Sequence, residues 1–258
     1  MTSLHVAPAG LLPWVPSATR VMRSTHWACS KCGTHHEAFS LFCRACASPS
    51  PSQVYSPLKQ SKLPIDAFYV MDLPVSWNIN RDLILSKRKN LLALLHPDRA
   101  EAPKDAEAHF QTVSNSSKTL LHDVSRAKHL LDLGWGLKLL AEGGNGETLV
   151  DPAEMLEIME VADQIPSLDA ASLASLKQEW SRRHLAETER THSKIQHLID
   201  VTARHVKNLE LLPGVKDDAA ITSAVDAIEV SAGRMQFVNR ILEACAKRER
   251  QIEGIEVD

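Results

Sequence analysis

Four of the five cysteines crowd into eighteen residues, as Cys29-Ser30-Lys31-Cys32 and Cys43-Arg44-Ala45-Cys46 with ten residues between the pairs, while Cys245 stands alone. A cluster this local is not a disulfide framework. Each Cys-x-x-Cys forms a tight knuckle that presents two thiolates, and the spacer is long enough for a short hairpin to bring both knuckles around one ion. Soft thiolates select zinc or an iron centre, and four sulfur ligands leave no open position for a substrate. The expected group is therefore one structural Zn2+ held by Cys29, Cys32, Cys43 and Cys46. Two redox disulfides or unligated thiols are the alternatives. His35 and His36 lie in the spacer, and with four cysteines available they are expected to face solvent.

The bulk properties narrow the class. At 258 residues and 44% hydrophobic composition the chain is long enough for two domains with a sizeable core. No apolar run reaches the length of a membrane span, so no membrane is expected as a partner. The net charge of -3, two Tyr and five Phe disfavour nucleic acid as a partner, which would call for a basic, aromatic-rich surface. The first 36 residues contain no Asp or Glu but include Arg20, Arg23 and Lys31, the composition of a mitochondrial transit peptide, although Pro8, Pro13 and Pro16 interrupt an amphipathic helix. Residues 1–26 are thus expected to be a transit peptide or a disordered tail. The four-cysteine module follows over 27–47, and a Pro- and Ser-rich stretch over 48–64 reads as a loose linker.

A second constraint is the apolar run Leu91-Leu92-Ala93-Leu94-Leu95, which ends at His96-Pro97-Asp98. Proline cannot continue the helix and pushes the preceding residue out of the α region, so His96 marks a forced, polar corner. Upstream, Asn80 is placed to cap a helix through Leu95 with Ile84, Leu91, Leu92 and Leu95 near one face and Lys87, Arg88 and Lys89 on another. Downstream, Ala106, Phe110, Val113, Leu120 and Leu121 recur at helical spacing from about Lys104 to Leu121. Two amphipathic helices therefore flank the corner.

A further helix over 124–140 gives way to Gly143-Gly144-Asn145-Gly146, which ends this domain at 142 and leaves 143–150 as a linker. Asp151-Pro152 is a helix start, an N-cap followed by an N1 proline. Long apolar periodicities then run over about 168–212 and 217–250, which predicts an all-α bundle over 151–258 with no competing strand pattern. Cys245 falls on the apolar stripe and is expected to be a buried thiol.

The helical hairpin with His96-Pro97-Asp98 at its junction resembles a J-domain. Phe68-Tyr69-Val70-Met71-Asp72-Leu73, Lys118-Thr119-Leu120-Leu121, Ser125-Arg126, Leu130-Leu131 and Glu154-Met155-Leu156-Glu157-Ile158-Met159-Glu160 extend the resemblance to HscB-type co-chaperones of iron-sulfur cluster biogenesis. Eukaryotic members similarly carry a four-cysteine module and a mitochondrial presequence. Ser114, Ser117 and Arg88 depart from the family's usual Asn and aromatic residues. The resemblance implies a J-domain over 65–142 joined to a C-terminal three-helix bundle. It also implies docking of a DnaK-type heat-shock chaperone through Lys87, Arg88 and Lys89, with His96, Pro97 and Asp98 stimulating that chaperone's ATPase. An iron-sulfur scaffold protein would bind Met155, Leu156, Met159 and Phe237, with Glu160 and Asp163 at the rim, and the expected location is the mitochondrial matrix, with the cytoplasm as the alternative.

On periodicity alone Met155, Leu156 and Met159 are ordinary bundle core, and Lys87, Arg88 and Lys89 are a solvated face. The sequence leaves self-association, including a homodimer, open. No enzymatic activity is expected: there is no phosphate-cradling Gly loop, His-Glu-x-x-His or Gly-x-Ser-x-Gly, and an exposed corner has no pocket in which His96 and Asp98 could act as acid and base. The alternative reading is a zinc-ribbon interaction or RNA-maturation protein with a J-like hairpin. The scarcity of basic and aromatic residues around Cys29 to Cys46 counts against it.

Overall fold

The computed structural model describes residues 15–96, 103–135, 151–207, 210–211 and 218–255. The chain divides into two compact units, one comprising Met1–Lys138 with Thr202–Val215, the other Leu139–Val201 with Lys216–Asp258. Both are dominated by helices, as expected for an all-α protein.

The first unit opens with α1 (Ser17–Arg23), followed by the two-residue strands β1 (Trp27–Ala28) and β2 (His35–His36), which pair antiparallel with Trp27 opposite His36. Helix α2 (Ser56–Gln60) and α3 (Ala67–Val70) precede α4 (Arg81–Leu94), α5 (Pro103–Leu121) and α6 (Asp123–Trp135). The predicted cap is present: Asn80 Oδ1 accepts from the amides of Asp82 at 2.7 Å and Leu83 at 3.3 Å. Helix α5 is the hub, packing against α3, α4 and α6. Phe68, Met71, Ile84, Leu95, Val113 and Leu120 close this core.

Two expectations fail here. The tail expected through residue 26 ends earlier, because Ala18, Thr19 and Met22 of α1 are buried and Thr19 Oγ1 donates to the Asp66 carboxylate. The loose linker over 48–64 is instead folded. A 3-10 turn at Ser52–Tyr55 runs into α2, whose N-terminal turn contains Pro57, and Val54, Tyr55 and Leu58 are buried. Ser50 and Tyr55 meet the buried imidazole of His109 on α5: Nε2–H donates to Ser50 O at 2.7 Å, and the Tyr55 hydroxyl donates to Nδ1 at 2.7 Å. Composition suggested flexibility, but three apolar side chains and a buried histidine outweigh it.

Within the second unit, α7 (Pro152–Gln164), α8 (Ala170–Ala203) and α9 (Ala219–Ile252) form the predicted three-helix bundle. Asp151 caps α7 through the Ala153 amide at 2.8 Å, with Pro152 at N1. Lys177 pairs with Glu249 and Ser231 donates to Glu187, so α8 and α9 run antiparallel. Ile158, Ile165, Leu173, Trp180, Phe237, Val238, Ile241 and Cys245 make one contiguous core, and Cys245 is fully buried as expected.

The segment Thr202–Val215 carries a small hairpin that the sequence did not announce. Strands β3 (Val206–Lys207) and β4 (Glu210–Leu211) pair antiparallel, with Val206 opposite Leu211. Two residues are too few for an alternating pattern to register.

A four-cysteine centre and the candidate docking surfaces

The two knuckles are built alike. The Gly33 amide donates to Cys29 O and the Ala47 amide to Cys43 O, each at 2.9 Å, and both residues following the second cysteine of a pair have positive φ, +71° at Gly33 and 57° at Ala47. The Cys29 amide donates to Thr34 O and the Cys43 amide to Ser48 O, folding each loop back on itself. The four Sγ atoms consequently lie within 4.8 Å of one another, with Cys29 to Cys46 and Cys32 to Cys43 both at 3.6 Å. Tetrahedral zinc with Zn–S near 2.3 Å spaces its sulfurs at about 3.8 Å, so the donor set fits that ion.

The thiols are not equivalent. A hydrogen bond with the Ser48 hydroxyl, 3.2 Å from Cys29 Sγ, helps draw that thiol down to about 6. The Thr34 hydroxyl likewise lowers Cys32. Burial pushes Cys43 up to about 11. A bound cation would hold all four as thiolates.

His36 departs from its expected solvent-facing position. It is buried, stacks on Trp27 with ring centroids 4.0 Å apart, and places Nε2 3.3 Å from Cys43 Sγ, whereas His35 is exposed. It thus lies beside the most buried thiol, an outer position of the kind that orients a ligand. The signal was the alternation of β2, in which only one of two adjacent histidines can face Trp27.

On α4, Lys89 is exposed and Arg88 half-buried, while Lys87 Nζ bonds Asp72 Oδ2 at 2.8 Å. Part of the basic patch is therefore committed within the molecule. His96 is exposed at the end of this helix, whereas Pro97 and Asp98 lie outside the described residues.

In the bundle the residues expected to bind a scaffold separate into two groups. Leu156 and Met159 are each 58% exposed, beside exposed Glu160 and Asp163, and Met155 is half-buried against the core. Phe237 is 5% exposed, on the α9 stripe with Ile241 and Cys245, with the Arg240 guanidinium over its ring. The structure does not bring Phe237 onto the exposed surface. Spacings of four and eight residues place it on the core stripe. Ile158, not Leu156 or Met159, is the α7 residue that fills the core.

No protein-family model matches the chain. Among curated proteins, it is 28% identical over 146 residues to the Arabidopsis thaliana iron-sulfur cluster co-chaperone protein HscB homolog, covering 55% of this chain and 52% of the relative. It is 29% identical over 151 residues to the Homo sapiens iron-sulfur cluster co-chaperone protein HscB, covering 57% of each. The chain thus spans about half the length of the curated relatives it matches. The crystal structure of human co-chaperone protein HscB superposes with a TM-score of 0.58 at 18% identity, covering 86% of this chain and 98% of that one, a likeness of fold. The chain is thus similar to the HscB co-chaperones, in sequence over about half of the curated relatives and in fold to the human structure, and it carries an N-terminal four-cysteine cluster.

Proposed function

We propose that the protein is a co-chaperone of iron-sulfur cluster assembly that presents an iron-sulfur scaffold protein to a DnaK-type heat-shock chaperone and stimulates that chaperone's ATPase. The reading is carried by one combination: HscB-like architecture and sequence, with a helical pair whose junction holds His96-Pro97-Asp98. Lys89 and Arg88 steer an acidic chaperone surface onto α4, and the triplet contacts the chaperone to favour hydrolysis. The scaffold is held by Leu156, Met159 and the accessible part of Met155, apolar anchors rimmed by Glu160 and Asp163. The buried position of Phe237 supports a role beneath that patch rather than in it.

In this reading the protein performs no chemistry of its own. The four cysteines hold one structural zinc, closed to substrate. The acid-free N-terminus supports delivery to the mitochondrial matrix, and any presequence ends before the packed helix α1.

A reconstituted ATPase assay tests it. The wild-type chain raises the chaperone's turnover, and scaffold protein raises it further; His96→Gln returns the rate to basal, and Leu156→Ser with Met159→Ser removes only the scaffold-dependent increment. Undiminished stimulation by His96→Gln refutes the trigger role.

A further inference from the structure

Beside the four-cysteine module lies a groove edged by two arginines. We propose that the module is the second half of the chaperone-docking surface: the groove edged by Arg23 and Arg44 takes an acidic segment of the DnaK-type chaperone, with one apolar side chain seated on Phe42, Leu73 and Leu91. This rests on the chaperone reading above and extends it to a second patch.

Continuity with α4 carries the argument first. The groove, about 470 Å3, is formed by the cysteine module, α1, the α3 segment and Leu91 of α4. Leu91 lies one turn beyond Lys87, on the same side of the helix. Lys87 itself bonds Asp72, a wall of the groove. Lys87 and, one position on, Arg88 therefore border the groove on the side of α4 that carries Leu91, a side on which the sequence pattern had not placed Lys87, while Lys89 lies on the far side of the helix.

Charge decides the occupant. Asp72 is the only acidic residue among those lining the groove, and Lys87 already pairs with it, so exposed Arg23 and Arg44 leave the rim positive. Burial raises the Tyr69 hydroxyl above its ordinary value, and the positive charges of Arg23 and Arg44 oppose that rise. The partner that α4 is proposed to dock is acidic, and the same sign suits this rim. Phe42 and Leu91 are half-buried beneath, an apolar floor inside a charged border.

The frame is also pre-organised. The Phe39 amide donates to Met22 O at 2.8 Å, tying the cysteine module to α1, so little ordering opposes binding.

The test is titration of the full chain, zinc-loaded, into a DnaK-type chaperone, reading both half-saturation and maximal ATPase rate, with scaffold affinity measured in parallel. Arg23→Glu with Arg44→Glu should raise the half-saturating concentration at least tenfold, leave the maximal rate within twofold, flatten the salt dependence and leave scaffold affinity unchanged. Arg23→Lys with Arg44→Lys should restore most of the affinity. Phe42→Ala, which alters no charge, should weaken half-saturation at least threefold. It supplies the reading if the charge reversals reduce metal content.

A wild-type chain that gives no stimulation refutes the chaperone reading itself. Stimulation weakened by Arg88→Glu with Lys89→Glu but within twofold of wild type for both groove variants overturns the groove and leaves α4 standing. Loss of scaffold affinity in the groove variants reassigns the surface to the scaffold and also overturns the proposal.

Discussion

Among the described residues of the first unit the longest helix is α5, with 19 residues, and distant segments are joined by polar links, Thr19 to Asp66, Tyr55 and Ser50 to His109, and the Ala67 amide to His129 Nε2. In the second, α8 and α9 each run for 34 residues and share a continuous apolar core around Trp180. A short element cannot offset its conformational entropy alone and must be tied to distant segments. The first unit therefore adds directional bonds and a four-cysteine cluster to an apolar core of its own, while the bundle rests on two long helices around one apolar stripe. The same molecule thus offers two internally different responses to metal, cavities and pH.

The sharpest way to break this contrast is to remove the metal. Chelation, or Cys43→Ser, should abolish binding of one zinc per chain and lower or erase the first unit's thermal transition, because structural zinc contributes about 10–16 kcal/mol in small domains. The bundle's transition should not move. Calorimetry with elemental analysis checks both, and a single transition that shifts as a whole would show that the units are not energetically separate.

The converse is Trp180→Ala, which empties a site only 2% exposed. A loss of about 3–5 kcal/mol is expected for the bundle alone. Denaturant melts followed by helical signal, with zinc content unchanged, would confirm the confinement.

Acid separates the units next. His129 is half-buried, and the loss of solvent around its ring pulls it from its ordinary 6.5 down to about 4; buried His109 is lowered in the same direction. A base depressed in the fold binds fewer protons folded than unfolded in that interval. Its contribution is therefore complete above pH 6.5 and is lost as pH falls toward 4. Between about pH 7 and about pH 5 the first unit should lose about 2 kcal/mol through His129 alone. His129→Gln should flatten that slope in stability measurements, and an unchanged slope would assign it to other groups.

The smallest effect tests the symmetry of the knuckles. Ala47 occupies with φ 57° the conformation that glycine occupies at Gly33. Ala47→Gly should stabilise the first unit by about 0.5–1 kcal/mol, the relief of left-handed strain less the added chain entropy. A destabilisation would mean that the Ala47 methyl contributes packing.

Much of this organisation was legible along the chain because it depends on near neighbours. Two knuckles need only cysteines three apart, Asn80 and Asp151-Pro152 act on the next two or three amides, and Cys245 follows from helical period. The failures share the opposite property. Ser50 and Tyr55 look like linker until His109, more than fifty residues away, is placed beside them. Phe237 looks like an anchor until the α9 stripe turns inward onto Ile158 and Trp180.

By itself, then, the sequence determined the two cysteine knuckles, the helices and their caps, and the end of α4 just before His96, because each is set by bond geometry and chemistry within a few residues. Only the tertiary structure decided which face of each element is covered. It buried His36 beside Cys43, committed Lys87 to Asp72, and brought Arg23, Arg44 and Leu91 to one groove. Those outcomes depend on contacts between segments whose separation in sequence carries no local signal, and they exist only once the long-range packing has formed.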